Sequence, residues 1–181
     1  MILILIVRAT IKEYMEIFDG SMEKALEQLG EDVKVESSEV VMELIDKPIA
    51  FGVKLNMFLS RDLSDQATLI HLTLKSLIRG DVVKKMFDKP IFIPAEQSEN
   101  GIAKVVIGIK DCPLCCGLED KLRPLVGNSD YFTVITALGQ AAVQNVIDYI
   151  GLNYRVEVKE TKCKCRGDEK GELTVYYYPR N

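Results

Sequence analysis

Two clusters of cysteines hold the residues of this chain that are best suited to chemistry. Three of the five cysteines lie in "IKDCPLCCG", and the other two are Cys163 and Cys165. In a Cys-x-x-Cys turn such as Cys112 and Cys115, two thiolates reach one Zn²⁺ at about 2.3 Å, and a structural site needs four ligands. Cys163 and Cys165 share a face of a strand and complete the set if the last strands lie beside the strand ending at Asp111. The sequence therefore predicts one structural metal ion per chain, with zinc as the expected ion.

Two other uses of these thiols stay open. A Cys-x-x-Cys after a strand is also typical of thioredoxin-like redox sites, although Pro124 interrupts the helix that such a site needs. The alternative without chemistry is that the thiols are reduced packing or surface residues. A disulfide framework is not expected, because five is an odd number and the chain shows no secretory signal.

The apolar segment "MILILIV" lacks the features of a secretory signal, which needs a positive segment before it and a small-residue cleavage site after it. Arg8 and Lys12 come too early for a transmembrane helix, which needs about 20 apolar residues. We therefore expect a buried, β-rich segment in a cytoplasmic protein without a membrane span. The net charge of −4, without a basic stripe, predicts no direct nucleic-acid binding. No nucleotide cofactor is expected.

The first half of the chain has the pattern of helices. Apolar residues recur in steps of three and four over residues 10–29, which predicts one helix, with a bend at Gly20 and a stop at Gly30. Ser38 can cap a short second helix that continues through Ile45. Residues 49–60 fit a strand and a helix equally well.

The second half changes to alternating strands with one helix inserted. The predicted elements are a helix from Asp62 or Ser64 to about Phe87, strands in "KPIFIP" and "IAKVVIGI", a helix over Tyr131–Ile150 capped by Ser129 or Asp130 and ended by Gly151, and strands over Tyr154–Lys162 and Glu172–Tyr178. Helices followed by alternating strands predict an α+β fold whose antiparallel sheet is covered by helices. We expect a single domain over residues 1–181 with a helix-rich N-terminal half.

The C-terminal half resembles the 4-vinyl reductase domain family, whose distant relatives include subunits of the TRAPP vesicle-tethering complex. A glycine-bearing helix leads into "RVEVKETKCKCRGDEKGELTVYY", and the resemblance covers about residues 104–178. The positions that match the family's Glu-x-x-Cys strand end and Gly-Asp turn are Glu160, Cys163, Gly167 and Asp168. In the family this Glu-Cys pair holds zinc with two further cysteines, so the resemblance adds Glu160 to the expected ligands. Residues three apart face the same side of a strand only if a bulge intervenes.

The resemblance implies an apolar cavity between helices and sheet, occupied by a hydrophobic small molecule, and a homodimer. We expect ligand-binding residues on two helices: Leu69, Leu72, Ile135, Gly139 and Val143. The main prediction is thus a small-molecule binding or sensing domain. The alternatives are a metal- or thiol-dependent enzyme and a protein-assembly scaffold. Catalysis is the less favoured, because no general base stands beside a nucleophile and a closed thiolate site leaves no open coordination position.

Overall fold

The computed structural model describes residues 2–46, 48–50, 53–54, 59–77, 80–110, 119–126 and 130–180. The helices of this part are α1 (Ile2–Ile17), α2 (Met22–Asp46), α3 (Gln66–Leu77), α4 (Gly80–Met86), α5 (Glu119–Val126) and α6 (Thr133–Tyr149). Its strands are β1 (Pro48–Ala50), β2 (Val53–Lys54), β3 (Ile91–Ile93), β4 (Ala103–Ile109), β5 (Tyr154–Lys162) and β6 (Gly171–Pro179).

The main sheet has four strands in the order β3-β4-β6-β5, and every neighbouring pair is antiparallel. Along β5 the side chains of Val156, Val158 and Glu160 are buried, whereas their neighbours in the strand are more exposed. This alternation gives the sheet one face that packs on helices and one wetter face. The predicted α+β class, with an antiparallel sheet covered by helices and a helix-rich first half, is confirmed.

The first two helices form a hairpin that differs from the prediction in three places. The apolar start belongs to α1 and not to a strand, since an unbroken apolar run has no period that separates the two. The expected bend at Gly20 is a full break, where Asp19 and Gly20 adopt φ of 53° and 81°. Beyond it, α2 runs through Gly30 and Ser38 to Asp46 instead of ending at Gly30.

Each residue expected to end or start a helix within α2 has another contact. Gly30 lies where α2 crosses α6, and a Cβ placed on it would collide with the hydroxyl of Thr133. The hydroxyl of Ser38 donates to the carbonyl of Lys34 within the same helix, so it bonds back along α2 and caps no new helix.

The segment between the hairpin and β3 follows the prediction in part. Asp62 accepts a hydrogen bond from the amide of Ser64 at the start of a 3₁₀ turn, Leu63–Asp65, as an N-cap should. Within the expected long helix, the described residues form α3 and α4, and residues 78 and 79 between them lie outside the described part. Of the ambiguous residues 49–60, some form the two-stranded sheet of β1 and β2.

Helix α6 is the element that joins the two layers, because it packs against both α2 and β5. Its N-cap position is Phe132, which makes no side-chain cap, so the predicted cap by Asp130 is not observed; Asp130 instead accepts from the amide of Phe132 at 2.9 Å in the turn before the helix. Gly151, at φ of 72°, allows the turn into β5. None of the helices in the described residues has the length and apolar character needed to cross a bilayer.

Candidate functional site

Near its end, β5 departs from regular strand geometry, because its register with β6 shifts between Glu160 and Lys162. An extra residue at such a bulge reverses the sides that later residues face. Glu160 and Cys163 are consequently both buried, and their side chains are hydrogen-bonded to each other. The bulge that the Glu-x-x-Cys spacing requires is therefore present. Cys165, in the 3₁₀ turn Lys164–Arg166 that follows, is buried as well.

Glu160 is the centre of a buried polar cluster. Its Oε2 accepts from the backbone amide of Tyr131 at 3.1 Å and from a guanidinium nitrogen of Arg166 at 3.2 Å. The other guanidinium nitrogen of Arg166 donates to the carbonyl of Glu160 at 2.6 Å. The Glu160 and Arg166 side chains are only 1% and 16% exposed, so the pair lies largely out of water.

Asp130 provides a second carboxylate in the same cluster. One oxygen accepts from the amide of Phe132, as described above. The other accepts from the hydroxyl of Thr136 at 2.9 Å and from the amide of Glu160 at 3.3 Å. A single side chain thus satisfies the start of α6 and an outward-pointing amide of β5, which fixes the helix against the strand.

Burial is the main influence on both carboxyl groups. Burial, together with smaller contributions from the nearby Cys163 and Asp130, raises the pKa of Glu160 to about 10 against the opposing charge of Arg166. Burial also raises the pKa of Asp130, which hydrogen bonds from Thr136 and the backbone partly offset. Both shifts favour the protonated carboxyl, which reduces the charge that the fold must bury.

The turn after β5 positions Arg166. Asp168 accepts from the amide of Cys163 at 2.7 Å, and the amide of Arg166 donates to the carbonyl of Cys163 at 2.9 Å. Gly167 has φ of 102°, a conformation that side chains rarely permit. The Glu-x-x-Cys and Gly-Asp residues singled out in the sequence thus build a turn that aims Arg166 at Glu160.

The zinc-binding prediction is wrong for the part of the chain that the structure describes. No group of three or more His, Cys, Asp or Glu side chains in these residues is arranged to hold a metal ion. Glu160 has its cation in Arg166, so the carboxyl that should bind the metal is already engaged. The other two predicted ligands, Cys112 and Cys115, lie outside the described residues.

The predicted ligand-binding residues lie on two helices with different neighbours. Leu69 and Leu72 are on α3 and line a surface depression of about 210 Å³ together with Ser60, Asp65, Gln66 and Thr68. Ile135, Gly139 and Val143 are on α6, and they are not among the residues that line this depression. A shared apolar cavity between the two helices remains a prediction.

The outer edge of β5 is covered by two glutamines of α6. The side-chain oxygen of Gln144 accepts from the amide of Val156 at 2.7 Å, and that of Gln140 accepts from the amide of Val158 at 3.1 Å. Four residues along a helix rise about 6 Å, close to the roughly 6.6 Å of two residues along a strand. The two glutamines therefore match alternate amides of the strand, and with Asp130 they occupy three outward amides of this edge.

The sequence interpretation missed these edge contacts and the role of Arg166. The glutamines carry a readable signal, since they lie four apart on a helix that precedes an edge strand. Arg166 carries none, because its direction depends on the bulge and on the turn at Gly167.

Of the comparisons with known proteins, the one with solved structures found a similarity. No protein-family model matches the chain, and no curated protein matches it significantly. Among solved structures, the chain is similar to a trafficking protein particle complex subunit 3 from Naegleria fowleri, which was crystallised covalently bound to palmitic acid. The TM-score is 0.54 at 16% identity, and the match covers 98% of this chain and 97% of that one. At this identity the similarity shows the fold alone.

This similarity corrects the assignment made from the sequence. The fold is that of a TRAPP-type subunit, which the sequence interpretation placed only among distant relatives. Membership of the 4-vinyl reductase family is wrong, because no family model supports it. Small-molecule sensing, which depended on that membership, receives no support from the comparisons.

Proposed function

We propose that this chain is a subunit of a protein assembly, with a scaffolding role. The observation that carries the proposal is the end-to-end similarity in fold to a subunit of the trafficking protein particle complex. Because the match spans nearly all of both chains, it concerns the whole fold and not a shared fragment. Of the functions considered from the sequence, the assembly scaffold is the one that this similarity supports.

Both edges of the main sheet are protected against pairing with a strand of a partner. On β5 the outward amides are taken by Gln140, Gln144 and Asp130. On the other edge, β3 has three residues and lies between Pro90 and Pro94, which have no amide hydrogen to donate. We therefore place the assembly surface on the helices.

The α1–α2 hairpin carries two exposed apolar side chains, one on each helix. Tyr14 donates to Asp32 across the hairpin at 2.7 Å, so these residues mark where the two helices face each other. Ile17 lies one helical turn from Tyr14 toward the loop, and Val35 lies one turn from Asp32 away from the loop, so the two apolar side chains flank the Tyr14–Asp32 contact. Ile17 and Val35 are 70% and 71% exposed, the highest values among the large apolar side chains of the described residues.

We propose that this hairpin face, made of Tyr14, Ile17, Asp32 and Val35, pairs with the same face of a second copy. Twofold dimers are the commonest homo-oligomers, and their interface uses one patch twice. The hydroxyl and carboxylate of the Tyr14–Asp32 pair lie between the two apolar side chains, so the patch offers both apolar and polar contacts.

The double variant Ile17→Glu/Val35→Glu is expected to turn the dimer into a monomer. Each interface would receive four carboxylates, and like charges brought together across an interface cost several kcal/mol. Light scattering coupled to size-exclusion chromatography at micromolar concentration measures the mass. Leu138→Glu on α6 is the matched control, since Leu138 is also an exposed apolar residue and its variant should remain dimeric.

Two results would count against these proposals separately. A dimer that survives the double variant would place the contact on another surface. A monomer in both the recombinant protein and native mass spectra of protein purified from its own host would overturn the assembly role. The intact mass from the same spectra reports any covalent adduct.

A further inference from the structure

The connection between β3 and β4 contains an asparagine that is followed by glycine. Asn100 and Gly101 are both exposed, and Gly101 adopts φ of 66°. A Cβ built on Gly101 would have no heavy atom within 4 Å other than those of its chain neighbours, so water reaches the peptide bond between the two residues. Asparagine at such a place has a reaction of its own, because its side-chain carbon and the next backbone nitrogen can close a five-membered ring.

Two hydrogen bonds prepare the side chain of Asn100 for attack. Its Oδ1 accepts from the hydroxyl of Ser98 at 2.7 Å and from the amide of Ile102 at 3.3 Å. The bond from Ile102 folds the side chain back along the following peptide group, in the manner of an Asx turn. Both donors draw electron density from the side-chain carbonyl, and both stabilise the negative charge that develops on its oxygen when a nucleophile adds to Cγ.

One contact in the same turn opposes the reaction. The amide of Gly101 donates to the carbonyl of Ser98 at 2.9 Å, and this bond must open before the nitrogen can attack. Because the bond lies in an exposed turn, the need to open it slows the reaction by about tenfold or less. The turn therefore activates the carbon that is attacked and only weakly restrains the attacking nitrogen.

We propose that Asn100 is a site of spontaneous deamidation, a covalent modification that consumes only water. Hydroxide removes the proton of the Gly101 amide, and the nitrogen bonds to Cγ of Asn100 while the side-chain nitrogen takes a proton from water and leaves as ammonia. Water then opens the succinimide ring at one of its two carbonyl carbons. Opening at Cγ gives aspartate, and opening at the backbone carbon gives isoaspartate, in which the chain continues through the side chain. No atom is oxidised or reduced.

Both products place a carboxylate in the connection between β3 and β4. Aspartate keeps an oxygen for Ser98 and Ile102, and hydrogen bonds to a charged acceptor are stronger, so this product should leave the turn intact. Isoaspartate lengthens the backbone by one carbon between two paired strands. Since β3 has only three residues, we expect this product to weaken its pairing with β4. The modification thus marks aged copies of the chain at one edge of the main sheet.

The test follows the folded full chain during incubation at neutral and at mildly alkaline pH. Peptide mapping by mass spectrometry detects the mass gained when NH₂ is replaced by OH, and an isoaspartyl methyltransferase assay detects isoaspartate. We expect the peptide that carries residue 100 to convert at a rate proportional to the hydroxide concentration. The chain unfolded in urea should convert no more than about tenfold faster, since only the Gly101 bond is removed as a restraint.

Asn153 is the internal control of the same experiment. It is exposed like Asn100, but its Nδ2 is held by the carbonyl of Arg180 at 2.7 Å. It also precedes Tyr154, whose side chain hinders attack by the Tyr154 amide. We expect Asn153 to remain an amide while Asn100 converts.

Variants test the contribution of the Ser98 hydroxyl. Ser98→Ala removes one donor to Oδ1 and should slow the reaction of the folded chain about fivefold. Ser98→Thr keeps a hydroxyl and should keep the rate. In urea the turn is absent and all three chains should react alike, which distinguishes a contact in the fold from an effect of composition. Asn100→Gln would have to close a six-membered ring and should remain unconverted.

The possible results separate the site from its activation. A folded chain that stays unchanged at residue 100 while the unfolded chain converts would overturn the proposal, and so would conversion of Asn153 as fast as that of Asn100. Equal rates for folded Ser98→Ala and the unaltered chain would overturn the role of the hydroxyl. Because the reaction takes place within one chain, these results do not depend on whether the proposed dimer forms.

Discussion

Replacing Glu160 with alanine is expected to lower the free energy of unfolding by about 3–4 kcal/mol. The change removes the side-chain acceptor of the Tyr131 amide and of one guanidinium nitrogen of Arg166, in a place where Arg166 is only 16% exposed. Removing one member of a buried pair costs more than the pair itself contributes, since the remaining charge keeps its desolvation cost with less compensation. Urea denaturation followed by circular dichroism measures the loss.

Two control variants distinguish the loss of contacts in the buried cluster from a general destabilisation of β5. Glu160→Gln keeps an oxygen that can accept from Tyr131 and Arg166 and should cost about 1 kcal/mol or less. Glu157→Gln removes a carboxylate from the other face of the same strand, where the Glu157–Lys159 pair is solvent-accessible, and should change stability by less than about 0.5 kcal/mol. A Glu160→Ala loss no larger than that of Glu157→Gln would contradict the structural role of the cluster.

The pH dependence of stability gives a second measure of the same residue. The pKa of Glu160 is raised from 4.5 to about 10 in the folded chain, so the folded state holds a proton that the unfolded state has lost between these values. The stabilising contribution of the protonated carboxyl is complete below the unfolded pKa and is lost as pH rises toward 10. Glu160→Gln cannot titrate, and it should flatten the fall in stability between about pH 6 and 9 relative to the unaltered chain. Equal slopes for the two proteins would contradict the raised pKa.

The strands and α6 could be predicted from the sequence, because their signals are local. Residues 103–109 and 154–162 alternate as half-buried strands do, and Gly151 ends α6 with recognisable helix-end chemistry. The start of α1 could not be predicted in the same way. Six consecutive apolar residues suit a buried strand and a buried helix alike, and tertiary packing decides between them.

The candidate site could be predicted only in part, for a related reason. The sequence identified Glu160 and Cys163 as a pair and stated the bulge that this pairing needs, which depends on strand geometry alone. It expected zinc beside this pair and did not foresee Arg166, whose guanidinium lies 3.2 Å from the carboxyl of Glu160. The direction of Arg166 follows from the conformation of Gly167 and from contacts between distant segments, and no local spacing encodes these.

A short sequence motif is a limited guide to what its residues do in this chain. The Glu-x-x-Cys and Gly-Asp residues resembled a family in which they bind metal, but here they shape a turn. At 16% identity the similarity concerns the fold alone, and function must be argued from the contacts themselves. For this chain those contacts protect both edges of the main sheet.

Gly30→Ala is expected to destabilise the fold by about 2 kcal/mol, although glycine-to-alanine changes within helices usually stabilise by roughly 0.5–1 kcal/mol. Gly30 lies in α2 where it crosses α6, and the new methyl group would occupy the position of the Thr133 hydroxyl. That hydroxyl donates to the carbonyl of Leu26 at 3.1 Å, so moving it both displaces α6 and breaks a buried hydrogen bond. The crossing also fixes α2, which carries part of the hairpin face, and the variant should weaken dimers as well.

A double-variant cycle distinguishes this collision from a general sensitivity of α2. Thr133→Ala removes the hydroxyl that the new methyl would meet, so adding Gly30→Ala to Thr133→Ala should cost nothing further or should stabilise the chain. Gly139→Ala on α6 is the matched control, because its nearest neighbour, a methyl carbon of Val158, is 4.0 Å from the added carbon. Thermal unfolding of the four proteins gives the coupling. If Gly30→Ala lowers the stability equally with and without the Thr133 hydroxyl, then α2 and α6 do not contact each other at Gly30 and Thr133. That result would contradict the packing of α2 on α6 described above.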